Sequence, residues 1–149
     1  MHFVDFIFYI APLFQASKGI SKVKTMEMNK LEQQYIDLRS LKDDTLGDIE
    51  VLRMIIELFI EGIDEYVNII NDELGHKNWQ VLFKATHKIK PNISMFGITQ
   101  LEPTILQLES DFENEENLDT IDKQVNTCLD IFGQVKTELR AELKTMEHE

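Results

Sequence analysis

A chain of 149 residues, 43% hydrophobic and 28% charged, has room for one domain with a real core and is too short for a TIM barrel or a two-domain enzyme. Fifteen Lys and Arg against 27 Asp and Glu leave a formal net charge of -12, which repels phosphate backbones and anionic lipid headgroups, so nucleic acid is not expected as a partner. The single cysteine, Cys128, has no partner for an internal disulfide or a Cys-x-x-Cys pair, and a reducing, cytoplasmic setting is expected.

The chain opens on an apolar run, Phe3, Val4, Phe6, Ile7, Phe8, Tyr9 and Ile10, broken by Asp5 and stopped at Pro12. A membrane span needs about 20 apolar residues, and a secretory leader carries its positive charge ahead of the apolar stretch, whereas Lys18, Lys22 and Lys24 follow it. No membrane span is expected. Residues 1–29 read as an N-terminal extension, either a leader that packs on the domain or the product of a reading frame opened too early, with Met26 or Met28 the true start. An amphipathic surface anchor is the lesser alternative, since the apolar stretch has no basic face of its own. The domain itself is placed at residues 30–146.

A short helix is expected from Leu31 to about Leu38, capping one end of the fold. The longest helix starts near Asp48, with Leu52, Ile55, Ile56, Phe59, Ile60 and Ile63 spaced by threes and fours and the pattern continuing to Leu74. Gly75 suits its end, and Asn78 suits the N-cap of a helix that begins at Trp79 and runs past Ile89. Thr99 and Glu102 have capping-box spacing for the next helix, unless Pro103 sets its first turn instead. That helix carries Leu101, Ile105, Leu106 and Leu108. The stretch from Asp111 to Asp122, rich in carboxylates and Asn, reads as a solvated connection. A last helix places Leu118, Ile121, Val125, Cys128, Leu129, Phe132, Val135 and Leu139 on one face and frays after Leu143; Cys128 reads there as a small core residue. Without sustained β-branched alternation, the pattern predicts an all-α, antiparallel four-helix bundle with a short additional N-terminal helix.

Few residues offer chemistry. His76 follows Glu73 with the Glu-x-x-His spacing of di-iron bundles, yet such sites need two of these motifs plus two further inward carboxylates, no second Glu-x-x-His occurs, and Gly75 puts His76 at a helix end, so no metal is expected. His87 is the stronger candidate. On a helical wheel Leu82, Ala85, Thr86, Ile89, Ile93 and Phe96 share one direction, and His87 points roughly 140° from it, toward water. Lys90 and Ser94 fall on the same face and Phe83 near it. A neutral imidazole is a good nucleophile toward an acyl phosphate, and a neighbouring ammonium disfavours the imidazolium before transfer and attracts phosphoryl oxygens during it. Which ring nitrogen reacts depends on what holds the other, and the sequence names no such partner.

The stretch Ala85-Thr86-His87-Lys88-Ile89-Lys90-Pro91, with Trp79 upstream and Gly97 downstream, resembles the histidine phosphotransfer (HPt) domain. Segments around Leu58-Phe59-Ile60-Glu61 and Gln107-Leu108-Glu109 are similar to that family too, so the resemblance covers roughly Leu31 to Leu143. It implies a phosphorelay intermediate in which His87 takes a phosphoryl group from a receiver-domain aspartyl phosphate and passes it to the aspartate of another response regulator, without ATP. The implied partners are the receiver domains of a hybrid sensor histidine kinase and of a response regulator, which bring the Mg²⁺; this chain binds no cofactor and is expected as a monomer. Lys90 supports the phosphoryl group, Ser94, Pro91 and Gly97 shape the surroundings, with Gly97 admitting close backbone approach, and Phe83, Lys84 and Lys88 are the expected docking residues.

The chain departs from the family pattern at Thr86, where a small residue is common, and at Pro91, where Gly is common. Pro91 has no N–H for the His87 carbonyl and crowds it, which predicts a kink or loosening one turn past the histidine and an altered setting of Lys90; a simple bend around the bundle is the other reading. Phe83 is either core or an exposed docking anchor. Two further functions stay open: a bundle that docks receivers or other proteins without carrying phosphate, and a small metalloprotein disfavoured by its ligand count.

Overall fold

The computed structural model describes residues 34–149, and the expected extension over residues 1–29 lies outside them. Five helices and no strands make up the described residues: α1 (Arg39–Asp44), α2 (Ile49–Glu73), α3 (Trp79–Met95), α4 (Glu102–Asn114) and α5 (Ile121–Met146). Helices α2 to α5 pack as an antiparallel four-helix bundle in which each helix touches the next and α5 closes back on α2. Side-chain pairs fix the directions: Phe59 stacks on Phe96 while Tyr66 meets Thr86 across α2 and α3, and Tyr66 lies edge-on to Phe132 of α5.

The predicted stripes form the core. Ile56, Ile63, Leu82, Ile105, Leu108, Phe132, Val135 and Leu139 are all fully buried. Asp48 caps α2, its Oδ1 accepting the backbone N–H groups of Glu50 and Val51 at 3.1 Å. Leu106 of α4 is 56% exposed, and Leu118, expected on the α5 stripe, lies before that helix and is 38% exposed.

The segment before α2 departs from expectation. Residues 34–38 are not helical, and the short helix lies at Arg39–Asp44 instead. Ile36 and Leu38, two residues apart, are both buried, which is extended-chain spacing, and the backbone donors here go to tertiary partners. Tyr35 and Ile36 donate to the Glu138 carboxylate on α5, and Asp37 donates to the Phe96 carbonyl at 2.9 Å. Gly97 answers that contact. Its φ of +62° is left-handed, and a Cβ there would stand 2.8 Å from both the Cβ and the carbonyl oxygen of Asp37.

The expected solvated stretch from Asp111 is half wrong. Helix α4 runs on to Asn114, with Asp111 and Phe112 buried, because Asp111 accepts Gln107 Nε2 and Asn117 Nδ2 at 2.8 Å and Gln124 Nε2 at 3.2 Å. Three neutral amides thus satisfy a carboxylate that composition assigns to solvent. The cap expectations also shift. Asn78 holds the expected N-cap position of α3, but its side chain makes no cap bond and gives its amide to Glu73 instead, and α4 begins at Glu102 with Pro103 in its first turn, Thr99 taking no part. At the far end α5 continues past Leu143 to Met146, which is buried.

Candidate functional site

Helix α3 carries the histidine, and its inward residues set the direction in which the ring points. Leu82, Ala85, Thr86, Ile89 and Ile93 are buried, and Thr86 is tied down twice: its hydroxyl donates to the Leu82 carbonyl at 2.8 Å and pairs with the Tyr66 hydroxyl at 3.1 Å. Burial raises the affinity of the Tyr66 hydroxyl for its proton, and it pushes the Cys128 thiol up to about 12, so Cys128 is an inert core group. His87 is the next residue along from Thr86 and its side chain is 63% exposed. Pro91 does not end the helix, which runs unbroken from Trp79 to Met95.

Across the α3–α4 seam stands Glu109, whose side chain is only 12% exposed. Its Oε1 lies 2.5 Å from His87 Nδ1, and the Lys90 Nζ reaches both carboxylate oxygens, at 2.9 and 2.6 Å. Burial by itself would raise the Glu109 carboxyl, but hydrogen bonds from Lys90 and His87, together with their charges, outweigh it and hold the group below the ordinary carboxylate range. An ionised carboxylate only accepts, so Nδ1 of His87 carries the proton and donates it. In the neutral form of the ring Nε2 therefore holds the lone pair, on the exposed side chain. The arrangement is an exposed imidazole backed by a carboxylate that also holds an ammonium.

The family model of the Hpt domain matches residues 54–149, well over half of the chain. The chain belongs to the Hpt domain family. No curated protein and no solved structure matches it. Hpt domains take part in histidine phosphotransfer within phosphorelays, as carriers and not as kinases, and they interact with receiver domains.

The structure brings some of the predicted residues to the ring and not others. Lys90 is beside it, joined through Glu109. Phe83 is half-buried against the core with its ring centroid 5.8 Å from the imidazole, so it is neither a fully buried core residue nor a fully exposed one. Lys88 is exposed and paired with Glu65 of α2 at 3.0 Å, while Lys84 is exposed and carries no ion pair among the described residues. Ser94 instead leans to Glu102 at 3.4 Å and makes no bond to His87. Gly97 serves the Asp37 contact and not the histidine. Its expected close approach is real, with the N-terminal segment as the neighbour.

Glu109 is the site residue that sequence reasoning missed. Its segment carried part of the family resemblance, and its position beside Leu108 and one turn from both Ile105 and Phe112 places it at the rim of the core stripe. That rim position was legible; its partners, 22 and 19 residues upstream, were not. Elsewhere, His76 bonds the Asp72 carbonyl while Glu73 receives Asn78, so the Glu-x-x-His pair does not converge, and no group of three or more metal-ligating side chains occurs among the described residues. No helix among the described residues is long and apolar enough to cross a membrane.

Proposed function

We propose that this Hpt domain carries its phosphoryl group on Nε2 of His87, receiving it from the aspartyl phosphate of a hybrid sensor kinase's receiver domain and passing it to the aspartate of a response regulator. The observation that supports this most directly is the Nδ1 contact to Glu109, because it leaves Nε2 as the basic nitrogen of an exposed ring. In the accepting step the Nε2 lone pair attacks phosphorus, the P–O bond of the acyl phosphate breaks, and the receiver's carboxylate leaves with the electron pair. The Nδ1 proton stays in place. Lys90, 34% exposed and held on the same carboxylate, turns its ammonium toward the incoming oxygens while Glu109 stays bonded to the ring.

Three lysines, Lys84, Lys88 and Lys90, stand within three residues of His87 on a chain of net charge -12, two of them paired with Glu65 and Glu109, so cationic groups gather at this point of an acidic chain. With the half-buried Phe83 beside the ring, that spot suits the acidic pocket of a receiver, which supplies the Mg²⁺; this chain acts as a cytoplasmic monomer without a cofactor of its own. The test is to incubate the protein with a phosphorylated receiver and Mg²⁺ and follow label that survives base and is lost in acid, as a phosphoramidate does. Wild type is expected to take up label and His87→Gln to take up none. Label retained by His87→Gln, or a folded wild type left unlabelled by several receivers, would overturn the assignment.

A further inference from the structure

Accepting a phosphoryl group and giving it up place different demands on the imidazole. Acceptance needs a lone pair on Nε2. Release needs the ring to leave as a neutral molecule: the receiving carboxylate attacks phosphorus, the N–P bond breaks, and its electron pair returns to Nε2. If Nδ1 has lost its proton beforehand, the leaving group is imidazolate, a far poorer one. A carrier whose phosphoryl group must stay transferable therefore needs something that keeps Nδ1 protonated after phosphorus is attached.

Only one described group is in position to do this. Glu109 Oε1 lies 2.5 Å from Nδ1, and its second oxygen is held by Lys90 at 2.6 Å, so the carboxylate is fixed from both sides. The other titratable groups around the ring are Lys84, Lys88 and Lys90 on α3, Glu102 and Glu113 at two turns and one turn from Glu109 on α4, and Glu65 on α2, tied to Lys88. None of these meets Nδ1. The lysines favour proton loss from the phosphorylated ring, so Glu109 acts against them.

We infer that Glu109 is a positioning residue for release as well as for acceptance: by holding the Nδ1 proton on the phosphorylated ring it keeps the His87 phosphoryl group transferable at neutral and mildly alkaline pH. The inference rests on His87 being the carrier. A neighbouring anion at hydrogen-bond distance shifts a titration by about one to three units and the lysines offset part of that, so the pH above which phosphoryl loss slows should lie higher than in a free Nε2-phosphorylated N-acetylhistidine.

The experiment charges the full chain with phosphoramidate, which needs no protein partner, removes the reagent, and follows loss of phosphorus from His87 between mildly acid and alkaline pH. Glu109→Gln keeps an oxygen that can accept the Nδ1 proton but removes the charge; Glu109→Ala removes both. Wild type is expected to hold its fast-loss plateau to higher pH than the reference compound, with Glu109→Gln returning most of the way and outlasting wild type several-fold at mildly alkaline pH. A purely structural role for Glu109 would change the yield of labelled protein and leave the midpoint of the profile in place. Coincident midpoints for wild type and Glu109→Gln would overturn the inference while leaving His87 as carrier; no phosphorus on His87 of the folded wild type would overturn both. Should the variants fail to fold, the comparison of wild type with the reference compound decides alone, and equal midpoints there would sink the idea.

Discussion

Two carboxylates stand two residues apart on α4 and do opposite work. Asp111 is wholly buried and accepts three side-chain amides, from Gln107, Asn117 and Gln124, which bind the end of α4 to the following turn and to α5. Glu109 is partly exposed and holds an ammonium and an imidazole. Neutral donors around a buried anion give a rigid joint that has no group to offer a partner; ionisable donors at the rim give a site whose state changes when a proton or a phosphoryl group arrives. The difference lies in the partners and their exposure, not in the carboxylates.

The largest effect should come from the joint. Asp111→Ala removes a wholly buried carboxylate and leaves the amides of Gln107, Asn117 and Gln124 without their acceptor, and should cost about 3 kcal/mol in urea denaturation, with His87 labelling intact wherever the protein remains folded. The second structural contact, at Gly97, is expected to be nearly as sensitive: Gly97→Ala puts a Cβ against Asp37 in a left-handed conformation, for about 2 kcal/mol, read as a lowered Tm. Glu109→Ala should behave differently, costing under about 1 kcal/mol because its partners are partly exposed, while altering the pH profile of phosphoryl loss. Equal destabilisation by Asp111→Ala and Glu109→Ala would erase the contrast.

The smallest effect separates two carboxylates by the sign of their pH dependence. Glu109 is held below the ordinary carboxylate range, so its contribution to stability is present above the unfolded-state value and is lost as pH falls through the folded one. Burial raises Glu138 against the N–H groups of Tyr35 and Ile36 that favour its ionised form, so its contribution is full in acid and fades as pH rises through its folded value. Melting curves taken from acid to neutral pH should therefore gain stability from Glu109 and lose some through Glu138. Glu138→Gln is expected to remove the second trend and leave the first.

Much of this protein could be read from its sequence by itself. Residues of α2, α3 and α5 repeat their apolar side chains at helical period, so burying one stripe per helix dictates a bundle, and the same period throws His87 and Lys90 away from the core. The Trp79, His87, Lys90 and Gly97 pattern carried the family. Local rules failed where a residue's partner lies far along the chain. Ile36 and Leu38 look helical until Glu138 and Phe96 take the backbone donors of residues 35–37, and Asp111 looks solvated until Asn117 and Gln124 close over it. The site divides in the same way. Which histidine is exposed is a property of one helix, legible from 3.6-residue arithmetic; which of its nitrogens is free depends on Glu109 arriving from another helix, and only packing α4 against α3 brings that carboxylate to Nδ1.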